Sequence, residues 1–356
     1  MSAKIEAIAH ELEERSPRFR LIRAGDLKPR PLDWLVNALF ERDTVLQIFG
    51  DPGAAKSFWA LGLACCIASG TDHHGRAVKT GPAIYIAGEG FNGLARRLKA
   101  WSIRHQIDLA KVPLFVSTMP ALMTDPVNLA SVMGAIADIG EPPSLVVLDT
   151  LARNFGPGDE NNTQDMTAFV RACDELRLAW GCAVALVHHS GHGDKSRSRG
   201  SSVLHGAVDT AYQLQRDGDT ITVTNRKMKD GPMPEAFAFE FRTVELGFDN
   251  EDGSEATSAV LEPVDVPRSP PIATGKHQKH ALESLDALTR AQRENLRASG
   301  RDPGSARVTL TDWRDACTSD GMPRPRWYEA RNALESAKLI TIESDLYVSR
   351  RCTDEG

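Results

Sequence analysis

The stretch from Thr44 to Gly70, "TVLQIFGDPGAAKSFWALGLACCIASG", constrains this chain more than any other. A short apolar run breaks into a glycine-rich loop and restarts at once as a helix-forming segment. A buried parallel strand reads as such a run. A loop that follows a strand and opens a helix points several backbone N–H groups, and the positive end of the helix dipole, at whatever lies above it. Gly50, Asp51, Pro52, Gly53, Ala54, Ala55, Lys56, Ser57 and Phe58 are therefore the candidate phosphate cradle. Lys56 is placed to reach β- and γ-phosphates, and the Ser57 hydroxyl to ligate Mg²⁺. Ala55 stands where the G-x-x-x-x-G-K-[ST] pattern has glycine. Its methyl group is compatible with the loop only if its φ is negative, and that expectation is open to test.

The rest of the chain repeats the grammar of strand then helix. "GPAIYIAGEG", "KVPLFVS", "SLVVLDT" and "CAVALVHHS" are short apolar runs, separated by segments such as "NTQDMTAFVRACDELRLAW" with apolar residues three and four apart. That alternation predicts an α/β core with a mainly parallel sheet and crossover helices. From "AVDTAYQLQRDGDTITVTNRKMKDGP" onward, runs separated by Gly-Asp and Asp-Gly turns predict an antiparallel extension of the sheet. Proline and small polar residues in "EPVDVPRSPPIATGKHQ" mark a linker. Beyond it the order helix, helix, helix, hairpin suggests a small winged-helix-like domain. The expected divisions are 1–33 (an N-terminal helix and arm), 34–263 (the core), 264–275 (linker) and 276–351 (the winged-helix-like domain).

Composition excludes more than it assigns. With 356 residues the chain is long enough for one large domain or two ordinary ones. A net charge of -6 advertises no nucleic acid globally, so any DNA contact must come from a local basic patch. Six cysteines without a C-x-x-C pair argue against a zinc ribbon or a disulfide framework. The N-terminal stretch lacks the apolar core of a signal peptide, and no run approaches the length of a membrane span, so a cytoplasmic protein without membrane association is expected.

Several residues outside the loop carry candidate chemistry. Asp149 ends the run "SLVVLDT" and would hold the water shell of a magnesium ion. Glu89, between two glycines at the end of "AIYIAGEG", is placed to polarise an attacking water. His188 and His189 close "VALVHH", where an imidazole can hydrogen-bond a γ-phosphate. His192 would bring a third imidazole, but no fourth ligand stands at zinc spacing. Lys195, Arg197 and Arg199 lie in the loop "SGHGDKSRSRGSS", whose charge suits sequence-independent contact with DNA phosphates. In the tail, Arg324, Arg326 and Arg331 share "PRPRWYEARNALESAKLI" with Trp327, Tyr328 and Leu334, which read equally well as a recognition helix or as core.

These motifs, in this order, resemble the RecA-type ATPases of the plasmid RepA replicative-helicase family and related phage ATPases. The resemblance runs from about Trp34 to Phe241 and leaves out the tail. It implies a RecA-like P-loop core, ATP and Mg²⁺ as cofactors, hexameric rings with ATP held between subunits, and single-stranded DNA in the central channel. Lys56 and Ser57 then bind phosphate and magnesium, Asp149 is the Walker B acid, Glu89 the catalytic base, and His188 or His189 the γ-phosphate sensor. Two departures stand out: Ala55 in the loop, and Asp209 at the position aligned with the family's arginine finger. Other ring ATPases supply a basic pair from a hairpin, and Lys227 and Lys229, two apart in "TNRKMKDGP", are the candidates here. The reading that follows is a ring-forming helicase or translocase of a mobile element, whose tail docks DNA or a replication-protein partner. Its alternatives are an ATP-dependent recombination mediator or helicase loader without processive unwinding, and an ATPase-linked winged-helix regulator.

Overall fold

The structure is a computed structural model and describes residues 21–88, 90–190, 202–266, 275–337, 339–344 and 346–350. The chain divides into two compact units, Met1–Pro267 and Arg268–Gly356.

The first unit is built on a nine-stranded sheet. After a two-strand ribbon, β1 (Trp34–Val36) and β2 (Phe40–Glu41), come β3 (Val45–Gly50), helix α1 (Lys56–Ser69), β4 (Ala83–Ala87) and α2 (Phe91–His105). Next follow β5 (Leu114–Val116), α3 (Pro126–Ala137), β6 (Leu145–Asp149), the short α4 (Leu151–Asn154), α5 (Thr163–Trp180) and β7 (Ala183–His189). The unit closes with α6 (Ser202–Ala207), β8 (Thr210–Asp217), β9 (Thr220–Met228), β10 (Phe237–Asp249) and β11 (Glu255–Val264). Across the sheet the order is β11-β10-β9-β8-β3-β7-β6-β4-β5. The strands from β8 to β5 run parallel, and β9, β10 and β11 add antiparallel at the β8 side. The fold is thus a RecA-like P-loop α/β core with an antiparallel extension, followed by a C-terminal domain. β8 belongs to both regimes, parallel to β3 along one edge and antiparallel to β9 along the other.

The parallel strands are apolar on both faces because helices cover both. One face packs α1 and α2 around Trp59, Leu63, Ile67 and Trp101. The other packs α3 and α5 around Ile136, Met166, Phe169 and Leu176. Cys65, Cys66, Cys173, Cys182 and Cys317 are buried free thiols. Polar side chains cap the helices that need it: Asp125 accepts from the N–H groups of Val127 and Asn128, and Asn162 from those of Gln164 and Asp165.

The second unit contains α7 (Lys276–Ala298), β12 (Val308–Thr309), α8 (Leu310–Ser319), α9 (Arg324–Ser336), β13 (Ile340–Glu343) and β14 (Tyr347–Arg350). The strands form a three-stranded sheet in the order β12-β14-β13. Trp313, Trp327, Leu285 and Leu334 make its core, and the Trp313 indole donates to the Ala281 carbonyl at 2.7 Å. Trp327 and Leu334 are therefore core residues, while Tyr328 is exposed on α9. Arg326 pairs with Glu329 at 2.6 Å and Arg331 with Glu335 at 3.8 Å, so much of that helix's positive charge is matched on the helix itself.

Candidate functional site

The phosphate-type loop stands at the carboxyl end of β3, between β7 and β8. Gly50 is dictated by packing: a Cβ there would lie 2.2 Å from the Leu214 carbonyl oxygen of β8. Gly53 has φ of +80°, a conformation glycine adopts without steric penalty. Ala55 corrects the expectation drawn from sequence. Its φ is +62° and its ψ 18°, in the left-handed region, so the loop keeps the glycine-like backbone although the residue is alanine. The Cβ penalty is about 1 kcal/mol. The methyl group is buried in the cluster around α1, and that burial offsets part of the penalty.

Lys56 opens α1 and folds back over the loop. Its ammonium donates to the carbonyls of Gly50 at 3.0 Å and Asp51 at 2.9 Å, and lies 3.4 Å from His189 Nδ1. Burial lowers its pKa from 10.5 to about 8, against the opposing pull of Asp149 and Asp51. The ammonium is thus held on weak carbonyl partners in a site where a phosphate oxygen would bind it more tightly. Successive strand residues face opposite sides, so of the two histidines only His189 reaches Lys56. His188 is buried on the other face of β7, opposite Phe49.

Asp149 ends β6. Its Oδ2 accepts from the Tyr85 hydroxyl, while its Oδ1 is buried without a hydrogen-bond partner. The Tyr85 hydroxyl also lies 3.4 Å from the Ser57 carbonyl, which places Asp149 beside the start of α1. A buried carboxylate oxygen without a donor is costly unless a cation or its water shell completes it. Among the described residues no group of three or more His, Cys, Asp or Glu side chains could cage a metal. One hydroxyl and one carboxylate, with phosphate oxygens and waters supplying the rest, is what Mg²⁺ takes in phosphate sites. The donor set at Ser57 and Asp149 fits that ion.

Sequence reasoning passes over Tyr85, whose one signal is a hydroxyl-bearing ring in an otherwise aliphatic run. It also passes over Arg97, whose guanidinium stacks on the Phe58 ring at 4.3 Å, while that ring meets Phe241 edge-on at 5.0 Å. Helix α2 is thereby fixed to the turn that follows Ser57.

Glu89 lies outside the described residues, but the chain before it is fixed. The Gly88 N–H donates to the Asp149 carbonyl at 2.6 Å, and a Cβ on Gly88 would lie 2.2 Å from that of Arg153. Glycine is the residue that lets this segment approach the end of β6. Lys195, Arg197 and Arg199 also lie outside the described residues.

Lys227 and Lys229 sit at the opposite end of the sheet. Lys227 pairs with Ala211 in the β8–β9 ladder, level with Gln47 of β3 and about 10 Å along the strands from Gly50. Its ammonium donates to the His205 and Gly206 carbonyls at 2.8 and 3.0 Å, and desolvation lowers its pKa. Lys229 pairs with Asp209 at 3.2 Å, and its pKa is raised by that bond. Asp209 accepts in addition from the Val45 N–H at 3.0 Å and the Thr44 hydroxyl at 3.3 Å. Asp209 thus fastens β8 to the start of β3.

A strand-borne glycine loop with its lysine folded in, a helix dipole beneath it and a carboxylate at the neighbouring strand's end define a P-loop ATPase. Residues 10–195, just over half of the chain, match the AAA domain family, and the chain belongs to that family. A search of curated proteins finds no match to the chain. No helix among the described residues is long and apolar enough to cross a membrane.

Proposed function

We propose that the protein is a ring-forming, ATP-dependent DNA helicase or translocase of RepA type, acting in the cytoplasm in plasmid or phage DNA replication. The observation that carries this reading is the gathering of Lys56, Ser57, His189 and Asp149 on one carboxyl edge of the sheet. Ser190, after which the basic sequence of residues 191–201 follows, is on the same edge. In this reading the loop N–H groups and Lys56 take the β- and γ-phosphates, while Ser57 and Asp149 hold Mg²⁺, which when bound neutralises charge on the transferred group. Tyr85 fixes the Asp149 carboxylate. Glu89 orients and deprotonates the attacking water, and His189, in contact with Lys56, senses the γ-phosphate. Lys227 and Lys229 act on the nucleotide of the adjacent subunit. To do so they must exchange their present carbonyl and carboxylate partners for phosphate. Lys195, Arg197 and Arg199 line the channel and hold the backbone of single-stranded DNA. The C-terminal unit serves as a winged-helix domain, docking a replication protein or DNA.

A second reading is an ATP-dependent DNA-binding or loading factor without processive unwinding. It is favoured by one observation: both hairpin lysines are engaged inside their own protomer.

Strand displacement on a tailed duplex, with Lys56→Ala as control, separates the two. ATP-dependent unwinding that the variant lacks supports the first. DNA-stimulated hydrolysis without displacement supports the second.

A further inference from the structure

Strand β4 reads Ala-Ile-Tyr-Ile-Ala, and Tyr85 carries its only polar side chain. The residue is 1% exposed and packs in the apolar cluster around α1, where phenylalanine would fill the same space with no hydroxyl to satisfy. Burying a hydroxyl is costly unless it finds a partner. That of Tyr85 finds Asp149.

Strand register brings the two together. Tyr85 lies opposite Val147 on β6, so Asp149, two residues further on, projects from the same face as its diagonal neighbour, within reach of an aromatic side chain. A phenol has one proton to give. It goes to Asp149 Oδ2, and the Ser57 carbonyl, at 3.4 Å from the hydroxyl, stays at the limit of bonding.

The consequence falls on the carboxylate. One of its oxygens is held by the ring hydroxyl, while Oδ1 is buried without a hydrogen-bond partner. Asp149 therefore offers a cation, or the water shell of one, a single oxygen. That limit weighs differently on the two common hard cations. Mg²⁺ keeps several waters and needs few protein oxygens, whereas Ca²⁺ gathers more ligands and readily takes both oxygens of one carboxylate.

We propose that Tyr85 is a specificity-determining residue of the metal site: by holding Asp149 Oδ2 it denies a cation two-oxygen chelation and so favours Mg²⁺ over Ca²⁺. This rests on the magnesium site of the proposed function and assigns its selectivity to one hydroxyl.

The test reads binding and not turnover. Full-length wild type and Tyr85→Phe are titrated with a fluorescent, nonhydrolysable ATP analogue in EDTA, in Mg²⁺ and in Ca²⁺, and the gain in affinity that each ion confers over EDTA is compared. In wild type the gain from Mg²⁺ should exceed that from Ca²⁺. In Tyr85→Phe the gain from Mg²⁺ should fall about tenfold, as loss of a group that orients a metal ligand does, while the gain from Ca²⁺ does not fall. Binding in EDTA should be equal for the two proteins. An equal loss with both ions, or no loss with either, would overturn the proposal. Unequal binding in EDTA would overturn it too, because the hydroxyl would then shape the phosphate loop and not the choice of ion. A wild type that gains nothing from either ion would remove the magnesium site itself.

Melting in EDTA checks that Tyr85→Phe is folded. Should it not be, infrared spectra of wild type with ¹³C-labelled aspartate decide, the Asp149 bands being assigned by their loss in Asp149→Asn. The two carboxylate stretches of Asp149 should keep the same separation with either ion. Their convergence in Ca²⁺, the mark of two-oxygen binding, would overturn the proposal.

Discussion

The two ends of the parallel sheet use the same residue types in opposite ways. At the carboxyl end Lys56 rests on loop carbonyls with its pKa lowered to about 8, and Asp149 keeps one buried oxygen without a donor. At the amino end Lys227 sits on two carbonyls of α6, and Lys229 and Asp209 form a pair that also takes two groups from the start of β3. The first end stores unmet bonding capacity, as a site for a ligand from solution must. The second is complete as it stands, so whatever it offers a neighbouring subunit requires an exchange of partners.

The largest effect that would break this contrast is at Lys56. Lys56→Ala should weaken nucleotide binding by about a hundredfold or more, as loss of a desolvated charge partner does, without lowering the melting temperature of the ligand-free protein. Calorimetric titration and melting together check it. Glu89→Gln should leave binding intact and slow hydrolysis by about 10²–10⁴-fold, measured as single-turnover phosphate release.

A pH titration sharpens the same end. The folded pKa of Lys56 lies below its ordinary value, so between about 8 and 10.5 the unfolded chain binds the extra proton. Stability attributable to this group therefore rises with pH across that window, while affinity for a polyanion is full below about 8 and declines above it. Loss of the inflection in Lys56→Met would assign it.

At the other end, Lys229→Ala should change the stability of the protomer by less than about 1 kcal/mol, since the lysine is largely exposed and Asp209 keeps its bonds to Val45 and Thr44. If the lysine acts across subunits, hydrolysis by assembled protein falls while hydrolysis by dilute protomers does not. The smallest effect is expected at Ala55→Gly. Relief of the left-handed alanine, about 1 kcal/mol, is opposed by the lost methyl burial and the greater freedom of glycine in the unfolded chain. The net shift in melting should be slight and upward.

What the sequence disclosed follows the range of the forces involved. The strand, loop and helix at residues 44–70 are local, each step set by neighbours a few residues apart, and the strands ending in Asp149 and His189 follow from apolar runs alone. The backbone at Ala55 was not legible, because alanine normally disfavours the conformation that the surrounding loop imposes on it. The bond between Tyr85 and Asp149 spans 64 residues, and the contacts of Lys227 with His205 and of Lys229 with Asp209 span 22 and 20. None of these leaves a periodic trace. The tail's Trp327 and Leu334 could be placed as core only once α7 and α8 were seen to close over them.

β8 is bonded along one side to the strand that ends in the phosphate loop and along the other to the ribbon bearing Lys227. The ladder to β9 shifts register at Ala211/Tyr212, beside the Lys227 pair; in the assembly proposed above, this strand would join a subunit's own nucleotide to the groups it presents next door. In a closed assembly, filling one cleft would then tilt the reach into the following one. Occupancy would be passed round the circle in sequence, and saturation curves for ATP would depart from a simple hyperbola.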